Sequence, residues 1–220
     1  MYKIKMYCII LMLVFPLFIG CKKESQGMLN TMLLFITSCP GEGEMEDVKK
    51  LIKKGADLEC VGDYYEMTPL LNAAYGKGER CEGISFENEE KAKEVHNENE
   101  VESIKIVKFL IEKGANTKAT DPKGSNALHL AVYAGRSRMA AALLELGFNI
   151  NTENKAGATP IIVAASSGSL ETVKMLVARG ADINHVTSEN ASALDIAEQY
   201  GHADIAQYLE NLGVKRSFNR

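Results

Sequence analysis

Glycines recur along this chain at a fixed distance. Gly114 in "EKGAN", Gly147 in "ELGFN", Gly180 in "ARGAD" and Gly213 in "NLGV" are evenly spaced. A second series keeps phase with the first. "NALHLAVYAG" from Asn126, "TPIIVAASSG" from Thr159 and "SALDIAEQYG" from Ser192 advance by the same step. Two series in register, one over three steps and one over two, mean one structural unit, repeated with a period of about 33 residues. A single unit of this length cannot bury its apolar stripe alone, so the units are expected to stack.

One unit can be read residue by residue. Thr159 is placed to cap a first helix and Pro160 suits its first turn. Small Ala164 and Ala165 allow a neighbouring helix to approach closely, and Gly168 ends the helix. "SLETVKMLVARG" is a second helix with Leu170, Val173, Leu176 and Val177 on one face. Gly180 stops it in a left-handed cap, and "ADINHVTSENA" is an extended connection to the next unit.

The period and the T-P-L-H…A-A…G…V…L-L…G-A-D pattern resemble the ankyrin repeat. The resemblance implies an all-α solenoid of about five helix-turn-helix units, joined by short β-hairpin-like connections and spanning residues 31–216. Units begin at Asp63, Asp121, near Asn154 and near Thr187. A degenerate first unit runs from Leu34 to Asp57, lacks T-P-L-H and suits a capping repeat. The more polar last unit suits the other cap. Residues 217–220 form a tail.

The period breaks once. The interval from Gly55 to Gly114 exceeds one period by 26. The excess is expected between the two helices of the second unit, over residues 77–101, as a partly helical flap or an N-terminal extension of the second helix. This stretch has eight Glu against four Lys or Arg, about −4 in charge. The Glu cluster reads as a solvated face. The stretch itself reads either as a tolerated surface loop, since long insertions cost little entropy, or as an element that contacts a partner.

The first twenty residues do not belong to the repeat. Lys3 and Lys5 precede an apolar run from Met6 to Gly20 that is short of the roughly 20 residues needed to span a bilayer, and Pro16 interrupts it. This reads as a secretory signal over 1–20. Phe18-Ile19-Gly20-Cys21 resembles a bacterial lipobox, which implies lipid attachment at Cys21. Lys22 resembles an outer-membrane sorting signal. The processed chain then starts at Cys21 with a polar tether over 21–30, anchored to the cell envelope on the periplasmic side of the outer membrane. Loss of Lys3 and Lys5 takes the net charge from −4 to about −6. No basic face follows from this balance, so nucleic acid is not an expected partner.

Signatures of catalysis are missing. The sequence holds no G-x-S-x-G, H-E-x-x-H, P-loop or C-x-x-C. His129 sits at the T-P-L-H position and His202 follows an inter-helix glycine, both structural places by the resemblance. His96 and His185 have no nearby candidate ligands. No enzyme activity, cofactor or metal is expected. Besides Cys21, the processed chain keeps Cys39, Cys60 and Cys81. Cys39 and Cys81 fall after equivalent first helices, where a disulfide would pin the insertion, and Cys60 reads as a buried connection residue.

Ankyrin stacks bind proteins along the concave face formed by first helices and connection tips. Carried onto this sequence, the resemblance implies partner-binding positions at Tyr64, Tyr65, Met67 and Tyr75 in unit two. Unit three supplies Lys123, Ser125 and Tyr133. Units four and five supply Lys155, Ser166 and Ser167, then Ser188, Glu189, Gln199 and Tyr200. Five of the six tyrosines of the processed chain fall at these positions, and Tyr offers large contact area with few torsions to freeze. The expected function is a lipid-anchored periplasmic protein that binds and masks another protein. The most concrete form is an immunity protein against a secreted, lipase-type toxin. The alternatives are a scaffold or protector of a periplasmic enzyme and a structural envelope lipoprotein.

Overall fold

The computed structural model describes residues 26–38, 44–61, 66–76 and 89–217, with backbone alone over 89–99. The proposed signal, Cys21, Cys39, Cys81, Tyr64 and Tyr65 lie outside the described residues. Among those described there are ten helices and no strand. They are α1 (Gln26–Ser38), α2 (Glu44–Lys53), α3 (Pro69–Tyr75), α4 (Glu89–Glu112), α5 (Ala127–Tyr133), α6 (Ser137–Glu145), α7 (Pro160–Ser167), α8 (Leu170–Ala178), α9 (Ala193–Gln199) and α10 (Ala203–Asn211).

Odd-numbered helices pack on one another in chain order and form one layer. Even-numbered helices form the second, and the two helices of each unit pack together. Ala73, Ala74, Ala131, Ala164, Ala165 and Ala197 are fully buried in the odd layer, so the helices meet over side chains of one carbon. The even layer contributes Val107, Leu110, Met139, Leu143, Val173, Leu176, Ile205 and Leu209, all fully buried. The result is a single apolar core running the length of the stack.

The odd helices start on caps. Asn126 and Ser192 each make a reciprocal capping box, with His129 and with Asp195 respectively. Thr68 accepts from the Leu71 N–H at 3.4 Å. Thr159 holds the same extended backbone, yet its side chain makes no cap hydrogen bond. Its buried Oγ1 has no partner among the described residues. His129 and Asp195 reach back to their caps, whereas apolar Leu71 and Ile162 stand at that place in units two and four, so neither threonine gains a reciprocal bond.

The connections are hydrogen-bonded turns rather than hairpins of strand. The single bridge among the described residues joins Val186 to Ser192. Asp121, Asn154 and Thr187 each donate their N–H to the carbonyl four residues on, at 3.0, 3.0 and 2.9 Å. The third residue beyond each is left-handed: Gly124, Gly157 and Asn190, with Glu66 at the matching place in unit two. Adjacent tips touch backbone to backbone. Lys155 N–H donates to Lys123 O and Ser188 N–H to Ala156 O, both at 3.0 Å. A Cβ on Gly124 would lie 2.8 Å from Lys155 N, so glycine is required there for proximity as well as for φ.

Two boundaries differ from the sequence reading. The first helix begins at Gln26, inside the stretch read as a tether, and ahead of Leu34. Leu29 and Leu33 are buried. Asn30 Oδ1 accepts from Asp57 N–H at 2.8 Å, as Asn151 Oδ1 does from Asp182 N–H at 2.9 Å. The first half of α1 thus replaces the connection that precedes a regular unit. The insertion also shifts. The interval between caps Thr68 and Asn126 exceeds one period by 25, so the last of the excess lies ahead of Thr68. Helix α4 is 24 residues long, whereas α6, α8 and α10 each have nine. The insertion therefore ends as an N-terminal extension of the second helix, and by register it runs to Ser103.

Candidate protein-binding face

The odd layer presents the ends of α3, α5, α7 and α9 side by side. Tyr75, Tyr133, Ser166 and Gln199 occupy one equivalent row across them. Tyr75 and Tyr133 are stacked, with ring centroids 6.4 Å apart and planes 19° from parallel. Tyr133 is 53% exposed and Tyr200, one residue past the row, 60%. Tyr200 stacks on His202 at 6.5 Å. Between the aromatics, Ser166 and Ser167 are half-buried and turn their hydroxyls onto Val163 O and Ala164 O at 2.8 and 3.1 Å. The row is uncharged: tyrosine, tyrosine, serine, glutamine. Stacking holds the rings at low entropic cost, and an aromatic pair contributes roughly 0.5–1.5 kcal/mol beyond its buried area.

Two of the expected contact residues are withdrawn from that surface. Met67 is 6% exposed and Ser125 is 8%. They occupy one position, immediately before the N-cap, and Ala158 and Ala191 hold it in units four and five, buried as well. A side chain there turns down onto the stack. The small or apolar residues at 158 and 191 were the available signal. Ser125 instead closes its turn, donating its N–H to Asp121 Oδ1 at 2.8 Å. Lys123, Lys155, Ser188 and Glu189 are exposed on the tips as expected, with Lys155 Nζ donating to Pro122 O at 2.8 Å.

The histidines are held by backbone. His129 is 1% exposed, and its Nε2 donates to Ala158 O at 3.0 Å. Burial lowers its pKa below the ordinary histidine value, against opposing help from that carbonyl. His185 and His202 donate to Gly157 O and Ser166 O. Cys60 is buried, which pushes its thiol up to about 11. Among the described residues no group of three or more His, Cys, Asp or Glu is placed to hold a metal ion.

Sequence reasoning missed what the insertion does at its end. Glu100 and, just beyond the stretch, Glu102 are 5% and 8% exposed, which corrects the reading of Glu100 as part of a solvated face. Glu102 accepts from Met45 N–H at 3.2 Å, in the first turn of α2. Glu100 accepts from Met139 N–H at 3.0 Å, in the first turn of α6, and lies 4.0 Å from Arg136 Nε. Two carboxylates on one turn of α4 thus meet the positive ends of both neighbouring helices.

Arg136 is 5% exposed and donates to Ala73 O and Ala74 O at 2.8 and 3.1 Å. These carbonyls end α3, next to Tyr75. Burial pulls the Arg136 pKa down to about 10, with Glu100 opposing, so it is charged at neutral pH. His202 stands at the same repeat position two units later and does the same for α7 through Ser166 O. A Cβ on Gly76 would lie 2.2 Å from Arg136 Nη1, and one on Gly168 2.6 Å from the His202 ring. Each glycine leaves room for the side chain of the next unit.

A family model described as ankyrin repeats (three copies) matches residues 97–187 and 148–217, more than half of the chain. No curated protein matches the sequence. With that match and its helix pairs stacked in two layers, the chain belongs to the ankyrin-repeat family, whose repeats are protein–protein interaction modules.

Proposed function

We propose that this chain is a lipid-anchored periplasmic protein that binds and masks another protein on its odd-helix face, without turnover. Its most concrete form is an immunity protein that neutralises a secreted, lipase-type toxin. The observation that supports binding is the exposed pair Tyr133 and Tyr200 on an otherwise small, uncharged surface. Large rigid aromatics in such a setting are typical anchors of interfaces. The anchor rests on sequence alone: two lysines, a short apolar run and Cys21. A stack whose tips are tied backbone to backbone suits stoichiometric inhibition.

The test is capture of the partner by the purified domain from periplasm, and from cells expressing the toxin encoded beside its gene. Tyr133→Ala and Tyr200→Ala are expected to weaken capture by about tenfold or more each. Equal capture by both variants refutes the face. Capture of an envelope enzyme in place of a toxin selects the scaffold reading. Cys21→Ser should move the protein from the detergent to the aqueous phase; unchanged partition removes the anchor.

A further inference from the structure

The Tyr75–Tyr133 pair and the insertion sit in different layers, yet a continuous set of buried contacts joins them. Tyr75 follows Ala73 and Ala74, whose carbonyls Arg136 holds at 2.8 and 3.1 Å. Tyr133 lies three residues before Arg136 on the same chain segment. Arg136 therefore touches the segment bearing one ring and is covalently close to the other. Its guanidinium fills the space above Gly76, where a Cβ would come within 2.2 Å. On its far side, at 4.0 Å, is Glu100 of the α4 extension. Glu100 also fixes the start of α6 through Met139 N–H, and α6 follows α5 after a turn of three residues. Both side chains of the ion pair are 5–6% exposed, so water cannot replace either partner cheaply.

We propose that Arg136 is the positioning residue through which the insertion of the second unit sets the geometry of the Tyr75–Tyr133 pair, so that the outer helical layer controls binding on the inner one. Three features separate this from a general brace. The guanidinium is a planar fork with fixed donor directions, so a shift of Glu100 turns the fork and moves the α3 end with it. The α3 helix is only seven residues long, and Tyr75 ends it directly after the two residues whose carbonyls Arg136 holds. Glu102, two residues along, is directed to α2 instead and serves as an internal control. A ligand or partner that displaces the α4 extension then changes the aromatic row without touching it, a coupling between two distinct sites. The control of binding rests on the face proposed above; the mechanical link does not.

The experiment uses the full chain with 13C-labelled tyrosine rings, and Tyr→Phe changes assign the signals. Glu100→Gln keeps shape and the acceptor for Met139 N–H but removes the charge. It is expected to shift the Tyr75 and Tyr133 ring signals and leave Tyr200 and Tyr208, in unit five, in place. Arg136→Lys should produce the same pattern, since a single ammonium cannot face both α3 carbonyls and Glu100 at once, as Nη1 and Nε do. Glu102→Gln should leave all four signals unmoved. Amide exchange at Gly76, whose N–H donates to Asn72 O at 2.8 Å, should accelerate about tenfold in Glu100→Gln, a loss of roughly 1.4 kcal/mol in local protection. Two results overturn the proposal: unmoved Tyr75 and Tyr133 signals in both variants, or equal shifts from Glu102→Gln and Glu100→Gln. If a variant is partly unfolded, the Tyr200 signal moves too, and the comparison passes to Arg136→Lys at a lower temperature with the same criteria. Because these readouts need no partner, failure of the link is distinct from failure of the binding face, which Tyr133→Ala tests.

Discussion

Replacing Glu100 with alanine should be the most damaging single change in the insertion. Two interactions are lost at one oxygen. The hydrogen bond from Met139 N–H, at 3.0 Å, is one to a charged acceptor and contributes about 1.5–3 kcal/mol. The ion pair with Arg136 is 4.0 Å long, about 4 kcal/mol at an effective dielectric constant near 20. These do not add, because ionised Glu100 itself is costly to bury. The controlling quantity is what remains: a charged guanidinium, 5% exposed, with two helix-end carbonyls and no counter-charge. Breaking a buried pair on one side costs about 3–5 kcal/mol, and we expect about 4 for Glu100→Ala. Glu100→Gln retains the acceptor and should cost about half that. Glu102→Ala should cost less, about 2 kcal/mol: it loses the hydrogen bond from Met45 N–H, but its charged partner Lys105 is mostly exposed, at 59%, and is not left as a buried charge. Urea unfolding followed by far-ultraviolet circular dichroism reads these as midpoint shifts, about 2 M for Glu100→Ala at a slope of about 2 kcal/mol/M. A shift under about 0.5 M, or one no larger than that of Glu102→Ala, refutes the view that the carboxylate compensates a buried charge.

Other expectations follow from the caps and turns. Thr159→Val removes a buried hydroxyl that has no partner among the described residues, so stability should hold or rise by up to about 1 kcal/mol. Ser192→Ala, which breaks a working box, should lose about 1 kcal/mol, and calorimetry ranks the two. Glu66→Gly relieves a left-handed residue at φ 48° and should stabilise by about 1 kcal/mol, seen as a higher unfolding midpoint. His129 has a folded pKa below its unfolded value of about 6.5. The unfolded chain binds the proton more readily, so stability is full above that value and falls as pH drops toward the folded pKa. His129→Gln should flatten this part of the stability–pH curve, although it lowers stability at pH 8, and a titration of the urea midpoint from pH 8 to 5 checks it.

What the sequence disclosed was whatever recurs. The glycines at 114, 147, 180 and 213, the paired alanines and the cap residues each answer to a local demand that repeats with the unit, so four of the five units were legible with their helices. Where the repeat was degenerate, the boundary slipped. With no T-P-L-H to mark a start, nothing local announced that α1 begins at Gln26, because its beginning is fixed by Gln26 and Asn30 reaching Gly55 and Asp57. Met67 and Ser125 were assigned to the tips by proximity to exposed neighbours. Comparison with Ala158 and Ala191 at the same position shows that the place is internal. The Glu100–Arg136 contact had no sequence signal, since a non-repeating residue meets a repeating one in the next unit. Composition even pointed the other way. A stretch with eight glutamates describes a solvated surface on average, while Glu100 near its end and Glu102 just beyond it are buried.

Arg136 and His202 stand at one repeat position and each holds the end of the preceding unit's first helix, but Arg136 brings a buried guanidinium that needs a carboxylate beside it. That difference orders the sequence changes open to this chain. The insertion cannot be lost first, since its last turn supplies the only carboxylate paired with Arg136 among the described residues. Arg136→His must come before the deletion; only then does unit two return to the plain length of its neighbours. Conversely, an arginine placed at 202 would have no glutamate waiting in unit four. The insertion and the arginine behave as one inherited character, and where one is found in a related chain, the other should be found with it.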